Sequence, residues 1–147
     1  NILPPYNFKT LVDEDLSKNH RSVDFWTEME TYPWSGEIVR LAQAYDPGWR
    51  FLTRGAAEHE SFYGKSFWVE KYFPADVKRL VVCRGSKSFA CKRGDILVDD
   101  HAQNITEWNR AGGHGFLWYE MTADYEHPQT QLRQLDIFFR EFSNVKR

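Results

Sequence analysis

From Trp49 onward, short apolar runs alternate with amphipathic stretches. Trp49 to Thr53 reads as a strand. Residues 57–73 read as a helix, with Phe62, Phe67, Trp68, Val69 and Tyr72 on its apolar side. Arg79 to Arg84, carrying Leu80, Val81, Val82 and Cys83, reads as a second strand, and Ile96 to Val98 as a third. Residues 103–111 predict a short helix, closed by Gly112-Gly113 as a C-terminal cap. Phe116 to Tyr119 predicts a fourth strand. Residues 129–142 predict a last amphipathic helix with Leu132, Leu135, Phe138, Phe139 and Phe142 inward. Upstream, Ser35 caps a helix whose apolar face is Ile38, Val39, Leu41 and Ala42, and Asp46-Pro47-Gly48 breaks it. Residues 1–20 are irregular, with Pro4-Pro5 and a polar mix from Asp13 to His20. Strands and helices alternating at this spacing predict an α/β fold, a parallel sheet with helices on its faces.

Composition narrows the function classes. The 147 residues suffice for one domain with a core, and 27% charged residues are ordinary for a globular protein. Aromatic residues at 16% point to a bulky core or an aromatic-walled pocket. A net charge of −2 favours neither nucleic acid nor an anionic membrane as partner. No apolar run is long enough to span a bilayer and no secretory leader is visible. Cys83 and Cys91 are too few for a disulfide framework, so the expectation is reduced thiols and a cytoplasmic protein. The histidines show no zinc-helix spacing; His59 and His101 could touch a substrate, but the favoured reading of loop histidines is that they are solvated.

In a parallel sheet the C-terminal strand ends share one edge, where ligands bind. That edge would carry Thr53, Arg54, Arg84, Asp99 and Asp100, with Lys65 on the helix after the first strand. Adjacent carboxylates are costly unless a cation or donors compensate them. Mg²⁺ prefers such hard oxygen ligands, while a hydroxyl and an ammonium suit phosphoryl oxygens. Gly55 would let backbone N–H groups approach an anion closely. The set is therefore equipment for holding a phosphate beside a divalent metal. A strand ending in an Asp helix cap is the competing reading of Asp99-Asp100.

These segments resemble the haloacid dehalogenase superfamily, in particular its 5′(3′)-deoxyribonucleotidase branch. Phe51-Leu52-Thr53 is similar to the second motif, a strand ending in a hydroxyl residue that holds the phosphoryl group. Gly64-Lys65-Ser66-Phe67-Trp68-Val69-Glu70-Lys71-Tyr72-Phe73 is similar to the segment of the third motif, with Lys65 matching its lysine. Asp95-Ile96-Leu97-Val98-Asp99-Asp100 is similar to the fourth, Mg²⁺-holding motif. Asn104, Trp108, Ala111-Gly112-Gly113 and the stretch from Phe25 to Trp34 also resemble the branch, so the likeness covers roughly residues 22–122. Arg54-Gly55 departs from the common Ser-Pro pair, and His101 from a frequent Arg.

The resemblance implies a three-layer sandwich with a parallel sheet. It implies a lead-in or remnant of a small helical cap over residues 1–30 and the core over 31–147. It further implies a Mg²⁺-dependent phosphomonoesterase for deoxynucleoside monophosphates or similar small esters, working through an aspartyl phosphate. Thr53, Arg54, Gly55 and Lys65 would bind substrate, Thr53 and Lys65 also serving catalysis, and Asp99 and Asp100 the metal. The nucleophile belongs to an Asp-x-Asp after an apolar central strand. Asp13-Glu14-Asp15 is the one such sequence before Thr53, but Lys9 and Thr10 suit a central strand poorly. Either Asp13 and Asp15 serve as nucleophile and acid–base, or the sheet is incomplete at its N-terminal strand and an upstream fragment or another subunit fills it. The partners expected are a small phosphorylated metabolite or nucleotide, and a homo-oligomer or the missing N-terminal fragment. Phe25, Trp26 and Tyr32 are the candidates for a nucleobase pocket. The alternative is a catalytically inactive domain of the same fold, used for phosphate binding or assembly. An unrelated doubly wound, flavodoxin-like domain would need a phospho-acceptor Asp at another strand end, and none is apparent.

Overall fold

A computed structural model describes residues 22–119 and 127–143. The chain is mixed α/β, with short parallel strands in two pairs. Helix α1 (Val23–Thr27) begins where the Ser22 hydroxyl accepts the Phe25 N–H. Helix α2 (Ser35–Tyr45) buries Ile38, Val39, Ala42 and Tyr45, a spacing that makes one face. Its cap residue is Trp34; Ser35 is the first helical residue and its hydroxyl donates back to the Tyr32 carbonyl. Strand β1 (Phe51–Arg54) is followed by helix α3 (Glu60–Tyr72), a 3₁₀ turn (Pro74–Arg79) and strand β2 (Leu80–Cys83). A second 3₁₀ turn (Lys87–Ala90) leads to strand β3 (Ile96–Asp99), helix α4 (Ala102–Arg110), strand β4 (His114–Leu117) and helix α5 (His127–Phe142).

Both strand pairs are parallel, β1 with β2 and β3 with β4. Parallel neighbours cannot be joined by a tight turn, so α3 and α4 serve as the crossovers. The registers place Thr53 opposite Val82, Arg54 opposite Cys83, and Asp99 opposite Leu117. Among the described residues β1 and β3 each have one strand partner and are not paired with each other. They nevertheless share one hydrophobic core, in which Phe51 and Val98 lie with Trp68, Leu135 and Phe139. Helix α5 is tied to this body at both ends. The Gln131 amide accepts the Tyr119 N–H (2.8 Å) and donates to its carbonyl (3.0 Å), and the Tyr45 hydroxyl meets Asp136 at 2.6 Å.

Three differences from the sequence reading have physical causes. The fourth strand lies two residues earlier than Phe116–Tyr119, because Gly115 sits where any Cβ would come within 2.7 Å of Ile105 and so admits the close crossover of α4. Phe67 points to solvent, since α3 buries Ser61, Gly64, Lys65, Trp68 and Val69 instead. Residues 23–29 are part of the core: Trp26 and Met29 are both 1% exposed, and the Trp68 indole N–H donates to the Met29 carbonyl at 2.7 Å. None of the described helices is long and apolar enough to cross a membrane.

Candidate active site

Thr53 is the third residue of β1 and is fully buried. Two apolar residues, Phe51 and Leu52, precede it in the core, so the strand continues to its C-terminal edge before the chain turns at Gly55. Lys65 lies one turn into α3. It is 5% exposed, far from the solvated state usual for a helix lysine. Its ammonium donates to the Thr53 hydroxyl oxygen at 3.2 Å and to the Arg54 carbonyl, and it lies 5.1 Å from the Trp26 ring. The pairing of Thr53 with Lys65 expected from the sequence is thus present in the fold.

Gly55 works differently from the expectation. Its N–H donates to the Cys83 carbonyl at 2.9 Å and so is not offered to an anion. A Cβ there would stand 2.3 Å from the Phe62 ring. The glycine lets Phe62 close over the turn. The next amide, of Ala56, donates to the Ser61 hydroxyl.

Asp99 ends β3 and is 1% exposed. One carboxylate oxygen receives the Lys87 ammonium and the Asn104 amide, each at 2.9 Å; the other receives the His101 N–H at 2.9 Å. Lys87, 2% exposed, is the residue that the sequence reading missed. It stands in a polar Gly-Ser-Lys-Ser stretch that looks like a surface loop. The available signal was a lone lysine between an apolar strand and an acidic strand end. Ser86 caps the 3₁₀ turn that carries it, accepting from Ser88 N–H and donating to Glu107, whose carboxyl is thereby held below the usual range. Burial pushes the Lys87 ammonium below its ordinary value, and Asp99 opposes that shift. Burial wins, so the cation is held at a cost and its paired carboxylate is needed.

The two clusters converge. The Cys83 thiol, opposite Arg54 in the register, feels the positive charges of Lys87, Arg54 and Lys65 together. Burial still raises the thiol above its ordinary value, which argues against a cysteine nucleophile. Arg54 and Asp100 are both exposed. Among the nucleobase candidates, Trp26 belongs to the core, Phe25 packs edge-on against it, and Tyr32 stacks on Trp34 at 4.7 Å. Asp13 and Asp15 lie outside the described residues.

The acidic pair divides in role. Asp99 already accepts from three donors, so nearly all of its carboxylate capacity is used. Asp100 is exposed, and its carboxylate has the hard oxygen donors that Mg²⁺ takes, while Asp99 holds the strand end and Lys87 in place. Mg²⁺ commonly takes one or two carboxylates and fills its other positions with water and phosphate. Among the described residues no group of three or more His, Cys, Asp or Glu side chains forms a cage for a metal.

A cleft of about 260 Å³ opens at the other end of the strands, lined by Arg50, Leu52, Val81, Asp95, Ile96 and Phe139 among others. Most of these residues precede or begin their strands, so the cleft is separate from Thr53 and Lys65. No protein-family model matches the chain, and no curated protein matches it.

Proposed function

We propose that this chain is a phosphomonoesterase of haloacid dehalogenase type, with the three-layer fold of that superfamily, acting on small phosphate esters such as deoxynucleoside monophosphates with Mg²⁺ as cofactor. The observation that carries the reading is a buried cation at each of two strand ends, the Lys65 ammonium with the Thr53 hydroxyl at β1 and Lys87 with Asp99 at β3. Buried cations are expensive in a purely structural role. Cations fixed before substrate arrives lower the barrier wherever phosphoryl charge develops.

In this reading the Thr53 hydroxyl and the Lys65 ammonium orient the phosphoryl oxygens. Lys87, anchored by Asp99, which Asn104 in turn holds, supplies a fixed positive charge near the same edge. Arg54 meets the ester from solvent. Bound Mg²⁺, held by Asp100, would neutralise phosphoryl charge. The attacking carboxylate comes from an Asp-x-Asp, with Asp13 as nucleophile and Asp15 as acid–base in this chain, or from an upstream segment.

The test is a phosphate-release screen over deoxynucleoside and sugar monophosphates, with Mg²⁺ and with EDTA. Release that needs Mg²⁺ and vanishes in Lys65→Met supports the reading. Unchanged turnover in Lys65→Met removes Lys65 from its role. The saturation of Asp99 by three donors favours a second reading, a non-catalytic domain of the same fold that binds phosphate or assembles with a partner. That reading expects no release from any ester at any Mg²⁺ concentration.

A further inference from the structure

We propose that Arg54, Arg84 and His59 form a binding point for a second phosphate group, so that the preferred ligand of this site is a small bisphosphorylated molecule. The inference rests on the phosphate-ester reading above and extends it. Arg54 ends β1 and Arg84 directly follows β2, so the register sets them on one edge. The Arg54 Nε–H donates to the Arg84 carbonyl at 3.3 Å. The Arg84 guanidinium lies 4.9 Å from the Phe62 ring and 3.4 Å from His59 Nδ1. Phe62 is in turn seated over Gly55, where no side chain would fit.

Arg84 is therefore held in place before any ligand arrives, although it is exposed. Among the described residues neither arginine has a carboxylate within ion-pair distance. Glu107 acts on Arg54 only from further away and is itself engaged by Ser86 and Gln103. Two exposed arginines on one edge, with no carboxylate in ion-pair range among the described residues, leave positive charge there for an anion to meet. A guanidinium is the group best matched to phosphate oxygens, which it grips in a forked geometry. The pair adjoins the reacting position directly, because Lys65 donates both to Thr53 and to the carbonyl of Arg54. One phosphoryl group at Thr53 and Lys65 leaves the Arg84 guanidinium and its His59 neighbour unused. A second phosphate on the same molecule uses them.

The test is calorimetric binding to the full chain. The probes are adenosine 3′,5′-bisphosphate against adenosine 5′-monophosphate, and fructose 1,6-bisphosphate against fructose 6-phosphate. At least one bisphosphate is expected to bind about tenfold tighter than its monophosphate. Arg84→Gln is expected to bring that ratio close to one, and Arg84→Lys, which keeps the charge but loses the fork, to restore it only in part. Circular dichroism confirms that each variant is folded. Equal affinities within both pairs, or a ratio untouched by Arg84→Gln in the folded variant, overturn this proposal while leaving the monoesterase reading intact. Binding of none of the four probes overturns both.

Discussion

Replacing Lys87 by Met tests whether the Lys87–Asp99 pair organises the strand end. The side chains are 2% and 0% exposed, and the ammonium stands 2.9 Å from the carboxylate. Deleting the cation strands a buried negative charge, which costs roughly 3–5 kcal/mol. Asn104 and the His101 N–H remain as donors to Asp99, so the expected loss is about 3 kcal/mol, at the lower end of that range. For a chain of this size that is a fall in melting temperature of about 6–12 °C. The companion variants are Asp99→Asn and the double Lys87→Met/Asp99→Asn. Burial dominates the Lys87 shift even against Asp99, so the pair as a whole contributes little net stability. The double variant should then recover about 2 kcal/mol relative to the sum of the singles. Urea denaturation followed by circular dichroism reads all four proteins. A loss under about 1 kcal/mol in Lys87→Met, or strict additivity in the double variant, would refute the reasoning.

Other outcomes follow from the same coordinates. Gly64→Ala should cost about 2–3 kcal/mol in urea unfolding, because its Cβ would lie 2.3 Å from the Trp26 Cβ and 2.8 Å from the Val23 carbonyl, forcing α1 from α3; a neutral result would show that α1 does not pack there. Burial raises both thiols above 9.0, so Cys83 and Cys91 should react with iodoacetamide at pH 8 more slowly than free cysteine. The sign for stability follows: a raised folded value means the unfolded chain loses its proton first, so stability is full below pH 9.0 and declines as pH rises through the folded values. Because the lowered Lys87 ammonium acts in the opposite direction over the same window, the thiol part is read as the difference in thermal melts between the protein and its Cys83→Ala/Cys91→Ala variant from pH 7 to 11, and a difference that does not fall with rising pH contradicts it. Asp100→Asn should weaken Mg²⁺ dependence of phosphate release with little change in stability, whereas Asp99→Asn should lower both; equal effects on melting temperature would erase the division of roles between them.

Secondary structure was largely legible because its signal is local. Leu80 to Cys83 and Ile96 to Val98 are short apolar runs bounded by polar turns, and each became a parallel strand. Gly112-Gly113 marked the end of α4, where Gly112 adopts φ +93° and Gly113 leaves room for the Trp108 indole. Asp99 and Thr53 could be placed at strand ends for the same reason. The burial of Lys65 was not legible, because lysine on a helix is ordinarily solvated and the pattern along α3 does not announce which turn faces Thr53.

Residue order alone determined the alternation of strands and helices, the parallel pairing it requires, and which residues occupy the strand ends. Periodicity and turn chemistry act within a few residues of each other, so they can be read along the chain. Only the folded chain decided that Lys87 neutralises Asp99, that Gly55 makes room for Phe62, and that Arg84 comes to rest beside Arg54. Those contacts depend on crossovers that bring distant segments to the strand ends, where burial and charge compensation select partners that no local pattern encodes.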